Sequence, residues 1–209
     1  MNNLLLIQPK KWMKKFFSKA VWDFKGSDKT IYLTFDDGPI PGLTEWILDE
    51  LKKYNAKATF FCVGENIIKN RTIFDRIIAE GHQVANHTQN HIKGFHSSLL
   101  EYIKNIEACE SLTKSKLFRA PYGQLRKSQY RALLRKNYKI IFWDVISYDY
   151  EKISPEQCLS NVIRNTKDGS IILFHDNIKA EENVRYALTK TLEHFLEKGF
   201  TFNSIASRQ

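Results

Sequence analysis

The chain has 209 residues, 43% of them hydrophobic and 26% charged, which fits one globular domain with a single core and excludes a disordered or fibrous chain. Its formal net charge is +9 at a pI near 9.4. That balance suits a solvated lysine-rich surface or attraction to acidic polymers and membranes. With no zinc knuckle, RNP-like aromatic motif or helix-turn-helix pattern, nucleic acid is not an expected partner.

At the start of the chain Leu4-Leu5-Leu6-Ile7 is too short to span a bilayer, and Gln8-Pro9-Lys10-Lys11 follows in place of a longer apolar core. Neither a secretory signal nor a transmembrane helix is expected. Residues 10–24 interleave Trp12, Phe16, Phe17, Val21, Trp22 and Phe24 with Lys11, Lys14, Lys15 and Lys19. The stretch reads either as a basic amphipathic helix lying on an anionic membrane or as a leader that packs its aromatics across the base of the domain. Residues 1–27 are therefore a leader, and 28–209 the folded domain.

After residue 28, short runs rich in β-branched and aromatic residues alternate with stretches of helical period. The runs at 31–35, 59–63, 82–86, 117–119, 140–145, 171–174 and 200–205 are expected strands. Between them Ile47, Leu48, Leu51 and Tyr54 recur at helical spacing, as do Ile73, Phe74, Ile77 and Ile78, then Leu99, Ile103, Ile106 and Cys109, and finally Val184, Leu188, Leu192 and Phe195. Ser98 with Glu101, and Ser154-Pro155 with Gln157, are expected helix starts; Gly81 and Gly199 are expected stops. This alternation implies a parallel sheet, barrelled or doubly wound. Cys62, Cys109 and Cys158 are odd in number and form no C-x-x-C pair, which favours buried thiols and a reducing compartment.

Five segments carry chemistry. In Thr34-Phe35-Asp36-Asp37-Gly38-Pro39 an apolar strand ends in two carboxylates whose side chains point in different directions, so that one can bind a cation while the other faces a reacting water. In Asn86-His87-Thr88-Gln89-Asn90-His91 two imidazoles stand four residues apart, a spacing suited to a divalent metal with one carboxylate and open positions. Ile172-Leu173-Phe174-His175-Asp176 delivers an imidazole to a strand end, where it can serve as general acid or base. Arg119-Ala120-Pro121-Tyr122-Gly123 offers a guanidinium to hold a carboxylate and a turn to present a backbone N–H. The fifth segment is Trp143-Asp144-Val145-Ile146-Ser147-Tyr148-Asp149-Tyr150.

In this order the five segments resemble the NodB-type polysaccharide deacetylase family, over about residues 28 to 205. The resemblance implies a distorted (β/α) barrel of about seven parallel strands. It also implies metal-dependent removal of N-acetyl groups from an amino-sugar polymer or oligosaccharide, with one divalent ion, Zn²⁺ or else Co²⁺ or a related ion. Under it Asp36 is the general base, Asp37, His87 and His91 are metal ligands, and His175 is the general acid. Arg119 orients the base, the Tyr122 backbone N–H helps bind the oxyanion, and Leu173 and Tyr150 line the pocket for the acetyl methyl.

Two departures stand out. Where many members have Asp-Ser-x-Asp-Trp, this chain has Ile146-Ser147-Tyr148-Asp149-Tyr150, so the first aspartate, expected to tune His175, is missing. Asp144 or Asp176 is expected to take that part, with Asp149 a further possibility. Gln89 stands where an aromatic often follows the threonine, which affects packing or subsite shape. The alternatives are a same-fold hydrolase of O-acetyl esters or of another amide, and a carbohydrate-binding module without catalysis. The absence of a signal, with the basic leader at 10–24, points to a cytoplasmic location or one peripheral to the inner membrane face.

Overall fold

The computed structural model describes residues 7–26 and 28–205; Leu4-Leu5-Leu6 lies outside them. Among the described residues eight strands form one parallel sheet: β1 Thr30–Asp36, β2 Ala58–Cys62, β3 Gln83–Asn86, β4 Leu117–Phe118, β5 Lys139–Ile140, β6 Val145–Ile146, β7 Ile171–His175 and β8 Thr201–Phe202. Along the sheet the order is β5-β4-β3-β2-β1-β7-β6, with β8 added beside β1. Every residue of β1 and β2 is buried, as in strands covered on both faces, so their sequences run continuously apolar or small-polar. The result is the distorted (β/α) barrel expected from the motifs.

The eight helices are α1 Lys11–Phe16, α2 Leu43–Lys53, α3 Gly64–Lys69, α4 Arg71–Ala79, α5 Leu99–Thr113, α6 Lys127–Arg135, α7 Pro155–Ile163 and α8 Glu181–Glu197, counted among the described residues. Ser98 and Ser154 accept from the backbone N–H groups of Glu101 and Gln157 and so start α5 and α7 as expected. Gly81 and Gly199 follow α4 and α8 with positive φ.

Strand alternation sorts the side chains. Leu33 and Phe35 join Phe60, Ile172 and Phe174 in the outer core under the helices. Tyr32, Leu117 and Ile171, near the starts of their strands, form a second cluster in the interior with Phe61, Ala85 and Ile141. Counting on by twos along the same inward face reaches Thr34 and Asp36, His87, Arg119, then Leu173 and His175. The barrel interior is thus greasy at one end and carries the chemical groups at the other.

The expected strand at 140–145 is two short strands with Ile141-Phe142-Trp143-Asp144 between them. The ladder breaks because the carbonyls of Ile141 and Phe142 accept from the Arg119 guanidinium. The leader does not form one long helix: α1 ends at Phe16, and Val21 and Asp23 then pair with Ile141 and Ser170. Phe17 and Trp22 are buried and Phe24 packs on Tyr32, the packed reading of the leader, while Trp12 and Phe16 stay exposed. No helix among the described residues is long and apolar enough to cross a membrane. Cys62, Cys109 and Cys158 are buried free thiols, as expected.

Candidate active site

A cavity of about 710 Å³ opens at the C-terminal ends of the strands and is lined by Asp36, Asp37, His87, His91, Tyr122, Tyr150, Leu173 and His175 among others. Parallel α/β architectures keep ligand sites at this end. The structure therefore brings together every catalytic, metal-ligating and pocket residue inferred from the motifs except Arg119, which sits directly behind Asp36, fully buried.

Asp36 ends β1, and Asp37 follows it in the turn, so the two carboxylates diverge. Asp36 stays in register beside His175 of β7, whereas the chain turns at Asp37, which takes a positive φ of 88°. Asp37 Oδ1 lies 3.5 Å from His87 Nε2 and 3.0 Å from His91 Nε2. His87 Nδ1 is 2.9 Å from the Arg119 carbonyl; a carbonyl can only accept, so that nitrogen carries a proton and Nε2 is the nitrogen presented to Asp37 and the cavity. The ligand atoms of Asp37, His87 and His91 lie within 4.8 Å of one another. Two imidazoles and one carboxylate, with the tautomer already set, fit a divalent ion that keeps open positions. Burial opposes the charge of Asp37, but His87, His91 and the charge of His175 prevail and hold its carboxyl far below the usual range.

Two residues that the motifs did not single out complete the support. Asn177 Nδ2 donates to Asp37 Oδ2 at 2.6 Å, and Asn66 Nδ2 donates to the Asp37 carbonyl at 2.7 Å. Asn177 lies two positions past His175, and that adjacency was the one available signal; for Asn66, in α3, there was none.

Arg119 spends its donors inward. Nη1 donates to Asp36 Oδ1 at 2.8 Å and to Thr34 Oγ1 at 2.7 Å, Nε to the Ile141 carbonyl at 3.2 Å, and Nη2 to the Phe142 carbonyl at 2.9 Å. Its guanidinium also lies over the Phe61 ring, 4.1 Å from the centroid. Desolvation pulls the arginine down and the Asp36 charge pushes back.

His175 is held by Asp149, not by Asp144 or Asp176. Asp149 Oδ1 is 2.8 Å from His175 Nδ1, and Oδ2 accepts from the His175 backbone N–H at 2.7 Å. Burial would depress the imidazole; the Asp149 carboxylate, with Asp37 and Asp36 behind it, overcomes this and raises it to about 9. Asp144 points the other way, toward Lys14 and Ser170. Asp176 accepts from the Gly38 N–H and the Thr44 hydroxyl, and burial pushes it up to about 8. Ile146 thus removes nothing from His175, because the aspartate that reaches the ring is three residues further on.

Tyr150 meets the His175 ring edge-on at 4.7 Å, and Leu173 is buried beneath the same cavity. Tyr122 takes a positive φ of 59° in the turn after β4 and packs on His91 at 4.6 Å. Gln89 packs its carboxamide onto Gly64, where a Cβ would come within 2.2 Å of Oε1.

The polysaccharide deacetylase family model matches residues 24–141. A peptidoglycan-N-acetylglucosamine deacetylase of Bacillus cereus is 33% identical over 208 residues, covering 95% of this chain and 74% of the relative. A chitooligosaccharide deacetylase of Bradyrhizobium is 30% identical over 155 residues, 71% of each protein. Among solved structures, the Bc1960 peptidoglycan N-acetylglucosamine deacetylase superposes with a TM-score of 0.87 at 32% identity over 95% of both chains. On the extent of the family match and on these identities, the chain belongs to the polysaccharide deacetylase family.

Proposed function

We propose that this chain hydrolyses N-acetyl groups on an amino-sugar polymer or oligosaccharide, with a divalent ion, Zn²⁺ or Co²⁺, held by Asp37, His87 and His91. The observation that carries the reading is the convergence on one cavity of an arginine-held carboxylate, an Asp-His-His cluster and an aspartate-held histidine. Similarity to deacetylases of peptidoglycan N-acetylglucosamine and of chitooligosaccharides supports the choice of substrate class.

An ion held by Asp37, His87 and His91 would supply Lewis acidity toward an acetamide oxygen and would acidify water. Asp36, held by Arg119, accepts the proton of the attacking water. The Tyr122 backbone N–H serves the developing oxyanion. His175, kept protonated by Asp149, gives a proton to the departing amine, without which an amide nitrogen leaves poorly. Leu173 and Tyr150 flank the acetyl methyl and keep that side of the pocket dry. Acetate and a free amino sugar result.

The test is acetate release from N-acetylglucosamine oligomers and from peptidoglycan by metal-stripped protein, with and without added Zn²⁺ or Co²⁺, beside Asp36→Asn. Metal-dependent release lost in the variant is expected. Release that survives either chelation or Asp36→Asn would overturn the mechanism. Release from acetylated xylan alone would move the activity to O-acetyl esters.

A further inference from the structure

The sheet has two free ends, β5 and β6, and the leader lies between them. Val21 donates to the Ile140 carbonyl at 2.9 Å and accepts from the Phe142 N–H at 2.8 Å, so it acts as one more parallel strand residue beside Ile141. Past it, the Phe24 N–H donates to the Gly169 carbonyl at 2.8 Å, at the foot of β7. The Ile146 N–H of β6 donates to the Ile7 carbonyl at 3.0 Å. Lys14 ties the same seam with ion pairs to Asp23 at 2.8 Å and to the buried Asp144 at 3.2 Å. The leader is built into the barrel wall, and none of its described residues lines the cavity.

What the seam holds is the backing of the base. Phe142 is covered by Trp22, stacked at 4.3 Å and 17°, and by Phe17 at 5.3 Å. The Phe142 carbonyl accepts from Arg119 Nη2, and Arg119 Nη1 holds Asp36. The connection is unbroken: Trp22 ring, Phe142 ring and backbone, Arg119, Asp36. The 141–144 stretch belongs to neither β5 nor β6. Its ends are tied to the sheet by the Ile141 N–H on the Phe118 carbonyl and the Asp144 N–H on the Ile171 carbonyl, and between them the Phe142 N–H is held by the Val21 carbonyl of the leader.

We propose that Trp22 is a positioning residue for the reaction: through Phe142 it fixes the carbonyls that aim Arg119 at Asp36. The inference rests on the assignment of Asp36 as general base in the function proposed above. A misplacement near 1 Å at a reacting group costs on the order of 100-fold in rate, so a partial release of Arg119 is read as a smaller but clear loss.

The experiment measures metal-dependent acetate release by the full chain carrying Trp22→Leu, which keeps an apolar side chain but loses the stack. The expected result is a fall in kcat of about 10-fold or more, with KM and Zn²⁺ affinity changed less, because Trp22 itself belongs neither to the cavity lining nor to the Asp37, His87 and His91 cluster. Trp22→Phe restores most of the rate. Ile77→Ala, a buried truncation in α4 with no path to Arg119, serves as a control that loses stability without losing kcat. Wild-type kcat in Trp22→Leu, or an equal loss in Ile77→Ala, would overturn the inference. Should Trp22→Leu not fold, Trp22→Met, which keeps more bulk without the stacked ring, takes its place: a fall in kcat beyond that of Ile77→Ala supports the inference, and a wild-type kcat overturns it. A wild-type protein with no acetate release at all would instead sink the proposed function, so the two failures are distinguishable.

Discussion

Asp149 grips His175 at two points, with Oδ1 on the ring Nδ1 at 2.8 Å and Oδ2 on the backbone N–H at 2.7 Å. A carboxylate used at both oxygens cannot swing away, so its charge stays fixed against the imidazole and leaves Nε2 for the cavity. Burial works to discharge His175, and this fixed charge reverses the balance, raising it to about 9.

A general acid must be protonated to act, so the rate holds below the His175 pKa and falls as pH rises through it. Asp149→Asn keeps the shape and removes the charge, which lowers the pKa. The alkaline limb of the pH–rate profile is therefore expected to move to lower pH, with a loss on the order of 100-fold at pH 8. An alkaline limb that stays in place in Asp149→Asn would show that another group sets it.

Asn177 lines the cavity, and its carboxamide donates to Asp37 Oδ2 at 2.6 Å, which turns Oδ1 toward the two imidazoles. Partners of this kind typically contribute about 10- to 100-fold in metal affinity. Asn177→Ala is expected to weaken Zn²⁺ binding by that range, and His91→Ala to weaken it further, since it removes a ligand outright. His91 is 27% exposed, so its loss should leave the fold intact. Competition against a chelating dye gives both affinities; equal values for wild type and Asn177→Ala would refute the supporting role.

Much of this was legible in the sequence because the site is assembled from strand ends. Each chemical group follows an apolar run, and alternation along the run decides which face it takes, so Asp36, His87, Arg119 and His175 could be placed before any contact was known. What was not legible depends on distance through space. Asp144, Asp149 and Asp176 are all near His175 in sequence or motif, and only packing reveals that Asp144 turns to Lys14 and Asp176 to Thr44. The split of 140–145 into two strands is likewise set by an arginine from a different strand. The leader's aromatics carried no sign of which would be buried: Phe17 is covered while its neighbour Phe16 faces solvent.

Arg119 also makes the site costly to dismantle. It is fully buried and satisfies Asp36, Thr34 and two backbone carbonyls. Arg119→Met leaves a buried carboxylate without its counter-charge and two carbonyls without donors, a change that costs about 3–5 kcal/mol. Arg119→Lys retains the charge but has no planar fork with which to reach four acceptors, so it should recover only part. Urea unfolding is expected to show a lower midpoint for both, with Met below Lys. A midpoint for Arg119→Met within error of wild type would mean that Asp36 is relieved in some other way.

Gly38 joins Asp37 of the Asp-His-His cluster to the wall of the barrel. Its N–H donates to Asp176 Oδ1 at 2.8 Å, and a Cβ at this position would lie 1.8 Å from Asp176 Oδ2. Asp176 cannot retreat without breaking its bond with the Thr44 hydroxyl, which in turn accepts from the Ile40 N–H. The turn and the buried carboxyl are therefore packed as one unit, and glycine is required by space, not by φ. Gly38→Ala should displace the turn, drag Asp37 off the imidazoles, and lower thermal stability and Zn²⁺ affinity together. Truncating the obstruction with Asp176→Ala in the same chain should give back stability, since it removes the atoms that clash. If the double variant were no more stable than Gly38→Ala alone, the clash with Asp176 would not be the reason that position 38 is glycine.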